Sequence, residues 1–403
     1  MDGSSNVYVA GESETSWGSS VAAHTGGLDA FVATLSSSGV RQWHTFLGGS
    51  SNDESGEAIA VDGSGNVYVT GTSEATWGTP VNAYAGGSDA FVATLSSNGV
   101  YQWHTFLGSS STDEGTAIAV DGSGNVYVAG YSTAAWGTPI TAHAGGYDAF
   151  VAKLSSSGVY QWHTFLGSSS HDVGTAIAVD GISNVYVAGF SVASWGTPVN
   201  AHVGSYDAFA AKLNSSGVRQ WHTFMGSSSG DYGTAIAVDG SGNVYVAGYS
   251  YIAWGTPVTS HAGDFDAFVA KLSSSGVRQW HTFLGSSSDD SGEAIAVDGS
   301  GNVYVAGYST ATWGTPVAAH AGGKDAFVTT LSSSGVRQWH TFLGSSSTDE
   351  GTAIAVDGSG NVYVVGYSDA TWGTPVNTYV GGFDAFAAKI SVSDQKSYLL
   401  WTR

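Results

Sequence analysis

The stretch D-G-S-G-N-V-Y-V-A-G-Y-S at Asp121–Ser132 returns with small changes at Asp180, Asp239, Asp298 and Asp357, and more loosely at Asp2 and Asp62. Its asparagine falls at Asn6, Asn66, Asn125, Asn184, Asn243, Asn302 and Asn361, every step being 59 residues except the first, which is 60. A fixed period of this length restricts the chain to a solenoid, a propeller or an array of stacked units. One such unit is too small to cover both of its own faces, so its neighbours must cover them. The 403 residues therefore read as one body of seven repeats, not the two or three domains that length alone suggests.

Residues 116–167 show the plan of a unit. Ala117–Val120 alternates small and branched residues and reads as a short strand. Asp121–Asn125 is a tight turn whose glycines accept positive φ, and Val126–Ala129 is a second strand rich in β-formers. A long loop carries Trp136-Gly137-Thr138-Pro139 and His143. Asp148–Leu154 is the third strand, Ser155–Gly158 a turn, and Val159–Leu166 an outer strand with bulkier and more polar side chains. Four short antiparallel strands with apolar residues on both faces describe a sheet covered on each side by a copy of itself. Radial stacking of such sheets is the propeller arrangement. Solenoid coils are much shorter than 59 residues, and no segment has the 3.6 period of a helix.

The expected fold is all-β: a seven-bladed β-propeller with four antiparallel strands per blade, one domain over residues 1–403. Blade cores are expected near 1–47, 57–107, 116–166, 175–225, 234–284, 293–343 and 352–403. The second and third strands occur seven times, but the first only six, beginning at Ala58, Ala117, Ala176, Ala235, Ala294 and Ala353. The fourth occurs six times as Q-W-H-T-F and once, degenerate, within Lys396–Arg403. Blade 1 should thus lack its inner strand and keep a free inner edge, with Met1 and Arg403 near each other. The opening Met1-Asp2-Gly3 falls inside a repeat, as expected of an N-terminal truncation with an added initiator Met.

Formal charge is −21, from 32 acidic and 11 basic residues. Such a surface repels phosphate backbones and excludes nucleic acid as a partner. No run is long enough to insert in a membrane as a helix, and no cysteine is present for disulfide or thiol chemistry.

Taken in this order, D-A-F-V-A-K-L, G-T-A-I-A-V-D and G-N-V-Y-V-A-G-Y-S resemble the SBBP repeat, the bacterial seven-bladed β-propeller repeat. The likeness runs over essentially the whole chain. It implies a propeller fold and an extracellular or cell-surface bacterial protein, and it implies no catalytic residues. The Q-W-H-T-F outer strand and the W-G-T-P loop depart from the usual repeat, so a specific function is expected there.

Three constellations are candidates for chemistry. In the loop W-G-T-P-V-x-A-H-x-G-G-x-D, a Trp face suits the apolar face of a sugar while imidazole and carboxylate suit its hydroxyls. The expected ligand sets are Trp77, Tyr84 and Asp89; Trp136, His143 and Asp148; Trp195, His202 and Asp207; Trp254, His261 and Asp266; Trp313, His320 and Asp325; and Trp372, Tyr379 and Asp384. Blade 1 carries Trp17, His24 and Asp29. The alternative is structural: Trp wedged between blades and Asp capping the Gly-Gly turn. The position before the Asp changes freely (Leu28, Ser88, Tyr147, Tyr206, Phe265, Lys324, Phe383) and should be exposed. In the outer strand, adjacent Trp103-His104 and its copies point to opposite faces, so the His is expected to make a structural hydrogen bond. D-G-S-G-N spaces oxygens as calcium loops do but lacks their remaining carboxylates. The acidic pairs Asp53-Glu54, Asp113-Glu114, Asp289-Asp290 and Asp349-Glu350 read as solvated turns, with loose cation binding the alternative.

No enzyme motif has its proper context. Gly226-Ser227-Ser228-Ser229-Gly230 lies in a Ser-Gly tract with no strand-to-helix elbow. The expectation is a non-enzymatic, multivalent recognition module without cofactor, binding glycans at the Trp loops. A scaffold that binds surface proteins through one rim is the alternative. An enzyme would need pattern-breaking residues such as His171 or Lys324 to gather at one mouth of the axis.

Overall fold

The structure, a computed structural model, describes residues 1–50, 53–377, 379–391 and 396–402, the last stretch as backbone only. It is all-β, a seven-bladed β-propeller, and no helix occurs among the described residues. Seven antiparallel sheets follow one another, the first of three strands and the other six of four. By contact the chain divides into two compact units. One comprises Met1–Ser37, Arg41–Gly196 and Ala211–Gln220, the other Ser38–Val40, Thr197–Ala210 and Trp221–Arg403. The first unit holds blades 1 to 3 and the second blades 5 to 7, while the strands of blade 4 are divided between them.

Blade 3 shows the pattern: Asp113–Val120 innermost, then Val126–Ser132, Asp148–Leu154 and outermost Tyr160–Leu166. The inner strand starts four residues earlier than its alanines suggest. A bulge at Thr116, between the pairs Gly115↔Gly130 and Ala117↔Ala129, lets it bend and continue. Blade 1 has only Val7–Ser13, Asp29–Leu35 and Arg41–Leu47, and Val7–Ser13 has a single sheet neighbour, as the strand count requires. The degenerate outer strand of blade 7 is Lys396–Thr402, paired with Asp384–Ser391. Arg403, whose proximity to Met1 was expected, lies outside the described residues.

The repeated dodecapeptide explains itself in this setting. Asp121 Oδ1 accepts from the backbone N–H of Ser123 (2.9 Å) and Asn125 (3.0 Å), and Tyr127 donates its hydroxyl to Oδ2 at 2.9 Å. Gly124 closes the turn at φ 78°, a conformation that L side chains rarely adopt. Burial raises the Asp121 carboxyl, but the bonds from Asn125, Tyr127 and Ser123 outweigh it and hold the acid below its ordinary range. The glycine of V-A-G-Y answers a different need. A Cβ on Gly130 would collide with Glu114 O, the carbonyl that the bulge pushes across the pair.

The core lies between blades. In the first unit, Val67, Val69, Phe91 and Leu95 of blade 2 pack on Tyr8, Val32 and Leu47 of blade 1. In the second unit, Val303, Val305, Phe327 and Leu331 of blade 6 pack on Tyr245, Ala247 and Val269 of blade 5. Alternate residues of one strand thus serve two neighbours, so hydrophobicity is continuous along it. Alanines at the contact let the sheets approach, and a wholly buried side chain such as Phe327 contributes about 2–3 kcal/mol.

Candidate functional site

The W-G-T-P loop folds back on its own blade. Ile140 N donates to His163 O at 2.9 Å and Phe165 N to Thr141 O at 3.1 Å, so the loop runs along the outer strand and satisfies its edge. This places Trp136 flat on the His163 ring, centroids 3.7 Å apart, and edge-on to Phe150 and Phe165. The same stack joins Trp17 to His44, Trp77 to His104, Trp254 to His281 and Trp313 to His340. In blades 1, 4, 5 and 6 the guanidinium of Arg41, Arg219, Arg278 or Arg337 also lies over the indole, 5.0–5.3 Å from its centre. Trp17, Trp77, Trp195, Trp254 and Trp313 are only 5–8% exposed; Trp136 and Trp372 are half-buried. A histidine already covers one face of Trp17, Trp77, Trp136, Trp254 and Trp313, so that face is not open for the expected sugar stacking in the folded loop.

The second aromatic of the loop also faces inward. His143, His261 and His320 place Nε2 at 2.9–3.2 Å from the carbonyls of Ser132, Ser250 and Ser309. His202 packs edge-on to Phe224. Tyr84 and Tyr379 reach the carbonyls one residue further along, Glu74 O and Asp369 O, with their hydroxyls at 2.6 Å. His and Tyr exchange at this position because either ring bonds a carbonyl at, or just past, the end of the second strand. The aspartates cap the loop: Oδ2 of Asp89, Asp148, Asp207, Asp266, Asp325 and Asp384 accepts the backbone N–H four residues earlier at 2.5–2.7 Å.

The outer-strand pair is divided as its alternation requires. Trp43, Trp103, Trp221 and Trp280 donate Nε1–H to Ser97 O, Ser156 O, Ser274 O and Ser333 O, each in the turn of the next blade. The histidine bonds the loop: His281 Nε2 lies 2.6 Å from Trp254 O and His340 Nε2 2.7 Å from Trp313 O. Burial pushes His104, His163, His281 and His340 down to about 4. One expectation needs correction. Glu54, Asp113, Asp290 and Asp349 are not solvated turn residues but wholly buried openers of inner strands, because the bulge carries each strand further than its apolar pattern.

Variable residues gather at the strand ends where the loops cross to the next blade. The carbonyl of the residue before the loop Asp accepts the N–H of the next blade's first strand residue, as in Asp231 N to Tyr206 O (2.8 Å) and Asp290 N to Phe265 O (2.9 Å). This sets that side chain beside the next blade's second inner-strand residue, which pairs directly with the tyrosine of V-A-G-Y-S. In the second unit Tyr206 stacks on Tyr232 (5.2 Å) and Tyr232 on Tyr249 (4.8 Å), its partner in register. Phe265 meets Tyr249 and Tyr251. One blade further, Lys324 Nζ lies 2.6 Å from Glu350 Oε1 and 4.0 Å from the Tyr308 ring centre. Tyr367 meets Phe383. Tyr251 is 42% and Phe383 67% exposed. Burial, opposed by a hydrogen bond from Ser291 and reinforced by Glu350, raises the Glu293 carboxyl; burial and the nearby Glu293 and Glu350 charges raise the Tyr308 hydroxyl. The first unit has its own small cluster, Tyr131 against Tyr147 (5.3 Å) and Tyr147 against His171 (4.6 Å).

The freely changing position was visible in the sequence, and so were His171 and Lys324 as pattern breakers. Tyr232, Glu350 and the V-A-G-Y-S tyrosines were missed. The signal for the first two was present: the residue after the inner-strand acid runs Ser55, Glu114, Val173, Tyr232, Ser291, Glu350 across the repeats.

Among curated proteins, the regulatory protein FlaEY of Caulobacter vibrioides is 26% identical over 296 residues, which are 64% of this chain and 30% of that protein. The chain therefore spans less than a third of that relative. Similar solved structures include the Pan2 WD40 domain of Neurospora crassa, with TM-score 0.43 and 11% identity over 77% of this chain and 74% of that one. A puromycin hydrolase overlaps with TM-score 0.47 and 11% identity over 93% and 50%. An ulvan lyase does so with TM-score 0.44 and 12% identity over 82% and 78%. The family model described as SBBP, beta-propeller repeat, matches residues 42–76, 102–135, 220–253, 279–312 and 338–371. Each match runs from an outer strand through the crossover into the next blade's hairpin, and by them the chain belongs to the SBBP β-propeller repeat family.

Proposed function

We propose that this β-propeller repeat protein is a non-enzymatic protein-interaction module that takes its partner on the strand-end rim of Tyr206, Tyr232, Tyr249, Tyr251, Phe265 and Phe383. The observation that supports this is a division of labour among the repeats. Residues that recur in every copy, the Trp loops included, are engaged in packing and backbone hydrogen bonds. Residues that differ between copies lie at the rim, and in the second unit Tyr206, Tyr232, Phe265 and Phe383 among them are aromatic and partly open. Tyrosine and phenylalanine offer large contact areas at low entropic cost and dominate interface energetics. The surrounding carboxylates favour a neutral or basic partner surface.

A second reading keeps carbohydrate as the ligand but moves it from the Trp loops to this rim. The stacked tyrosines beside Glu293 and Glu350 favour it, since rings and carboxylates together suit a sugar. Both readings place the protein at the bacterial surface, which fractionation checks. A glycan array separates them, run beside affinity capture from envelope extract with the wild type and a Tyr251→Ser/Phe383→Ser double variant. The protein reading expects a silent array and a captured band that the double variant loses. A glycan hit lost in the same variant favours the second reading, and capture unchanged by the double variant overturns the rim.

A further inference from the structure

Each crossover between blades sets two buried acids against each other. Between blades 5 and 6 they are Asp266, which caps the loop, and Asp290, which opens the next inner strand; neither has exposed surface. A methyl carbon on Gly285 would stand 2.8 Å from Asp290 Oδ2 and 2.9 Å from Asp266 Oδ1. Both oxygens thus face one point that only glycine leaves open. The same convergence occurs over Gly48 (Asp29, Glu54), Gly108 (Asp89, Asp113), Gly167 (Asp148, Asp172) and Gly226 (Asp207, Asp231).

The Asp290 oxygen accepts from Ser286 N at 2.7 Å and Ser286 Oγ at 2.9 Å. Asp266 Oδ1 is buried and has no donor, as is true of Asp29, Asp89 and Asp148 Oδ1 at their crossovers; at the fifth, Asp207 Oδ1 accepts from Gly204 N at 3.2 Å. A buried carboxylate oxygen without a donor, facing a second carboxylate, is relieved either by a proton held between them or by a cation. No lysine or arginine supplies the cation: the one ion pair among the described residues is Lys324–Glu350. The imidazole of His261, on the same loop as Asp266, bonds Ser250 O through Nε2 but lies near enough for its charge to favour the Asp266 carboxylate; at Asp89 the loop carries Tyr84 in place of histidine and offers no such charge.

We propose that these five crossovers are calcium sites. At each, Oδ1 of the loop-capping Asp and the facing oxygen of the next blade's inner-strand acid hold one Ca²⁺, with carbonyl oxygens of the crossover completing the set. Those carbonyls are close at hand. A carbon on Gly204 would meet Ser227 O, Ser229 O at 2.8 Å and Asp207 Oδ1 at 3.1 Å, so at that crossover carbonyls and the carboxylate oxygen share one neighbourhood. An all-oxygen set with two negative charges suits a hard divalent cation of flexible coordination and not zinc. No three acidic or imidazole side chains converge among the described residues, so carbonyls and water together would make up the rest of the set. Affinity should be weak, with Kd about 10⁻⁴–10⁻³ M as in extracellular modules.

The test uses the full chain, stripped with chelator and then titrated with Ca²⁺ by calorimetry, and with Tb³⁺ by luminescence sensitised through nearby aromatic rings. The expected result is about five equivalents and a Tm raised by about 5 °C at Ca²⁺ tenfold above Kd, with Mg²⁺ giving much less. The Asp266→Asn/Asp290→Asn double variant should lose one equivalent and melt no lower than wild type in chelator. Gly285→Ala fills the same point and should lose the same equivalent. Absence of Ca²⁺-dependent heat, luminescence and Tm change in the wild type overturns the proposal, and so does unchanged stoichiometry in either folded variant.

Discussion

Replacing His281 by Phe isolates the chemistry of the buried ring stack. The imidazole is 1% exposed, lies flat on Trp254 at 4.0 Å, and bonds Trp254 O through Nε2. Burial lowers its pKa to about 4, the Arg278 guanidinium adding to the effect. Because the folded value lies below the ordinary 6.5, the unfolded chain binds a proton in the window between them and the native chain does not. The stability contribution is therefore full above about pH 6.5 and falls as pH drops toward 4. At 1.36 kcal/mol per unit, the loss at pH 5 is about 2 kcal/mol for this one ring. Phenylalanine keeps the flat contact but leaves Trp254 O without its donor, a pH-independent penalty of about 1–2 kcal/mol. The variant should thus be weaker than wild type at pH 8 and should overtake or match it near pH 5. Asp290, raised by burial to about 6, titrates with the opposite sign in the same window. The wild-type acid profile alone is therefore uninformative, and the difference profile carries the result. Urea unfolding followed by tryptophan fluorescence at pH 8, 7, 6 and 5 supplies it. A stability gap that stays constant from pH 8 to 5 would refute the reasoning, since it would mean that His281 titrates alike folded and unfolded.

Trp254→Ala should lower stability by about 3–5 kcal/mol, seen as a drop in Tm, because the indole is packed between ring neighbours and not held ready for a ligand. Gly248→Ala forces a Cβ onto Tyr232 O and should cost about 3 kcal/mol, whereas Gly240→Ala, with open space around it, should leave the denaturant midpoint nearly unchanged. Tyr245→Phe removes the 3.1 Å bond to Asp239 Oδ2 and should cost about 1 kcal/mol. The same variant should show a slightly higher Asp239 pKa by NMR titration, since that hydroxyl helps to hold the carboxyl low.

The fold was legible because its rules are local and repeated. The period, the alternation and the D-G-S-G-N turn are each fixed by residues within one unit, and counting strands sufficed to place the missing inner strand of blade 1. What escaped was whatever depends on a second unit or on a distant strand of the same one. Asp113 reads as part of a polar turn because its own neighbours are Thr112 and Glu114; only the bulge and the adjacent blade bury it. Trp136 reads as a ligand platform because a loop tryptophan beside Gly-Thr-Pro looks exposed. Its partner His163 lies 27 residues away in the outer strand, and no spacing rule announces that stack.

The near-identity of the repeats makes their differences informative. A position whose side chain points into the blade contact must satisfy the same environment in every copy, which is why Val126, Tyr127 and Val128 recur so closely. At the rim no such constraint acts, and leucine, serine, tyrosine, phenylalanine and lysine exchange freely before the loop Asp. Freedom alone would yield small polar residues, which solvate readily and expose no apolar surface. The second unit instead carries Tyr206, Phe265 and Phe383 at that position, and Tyr206 and Phe265 meet rings of the following or the same blade. Exposed aromatic surface raises the risk of aggregation, and its accumulation on one face of blades that otherwise differ little is the reason we propose a partner for that surface.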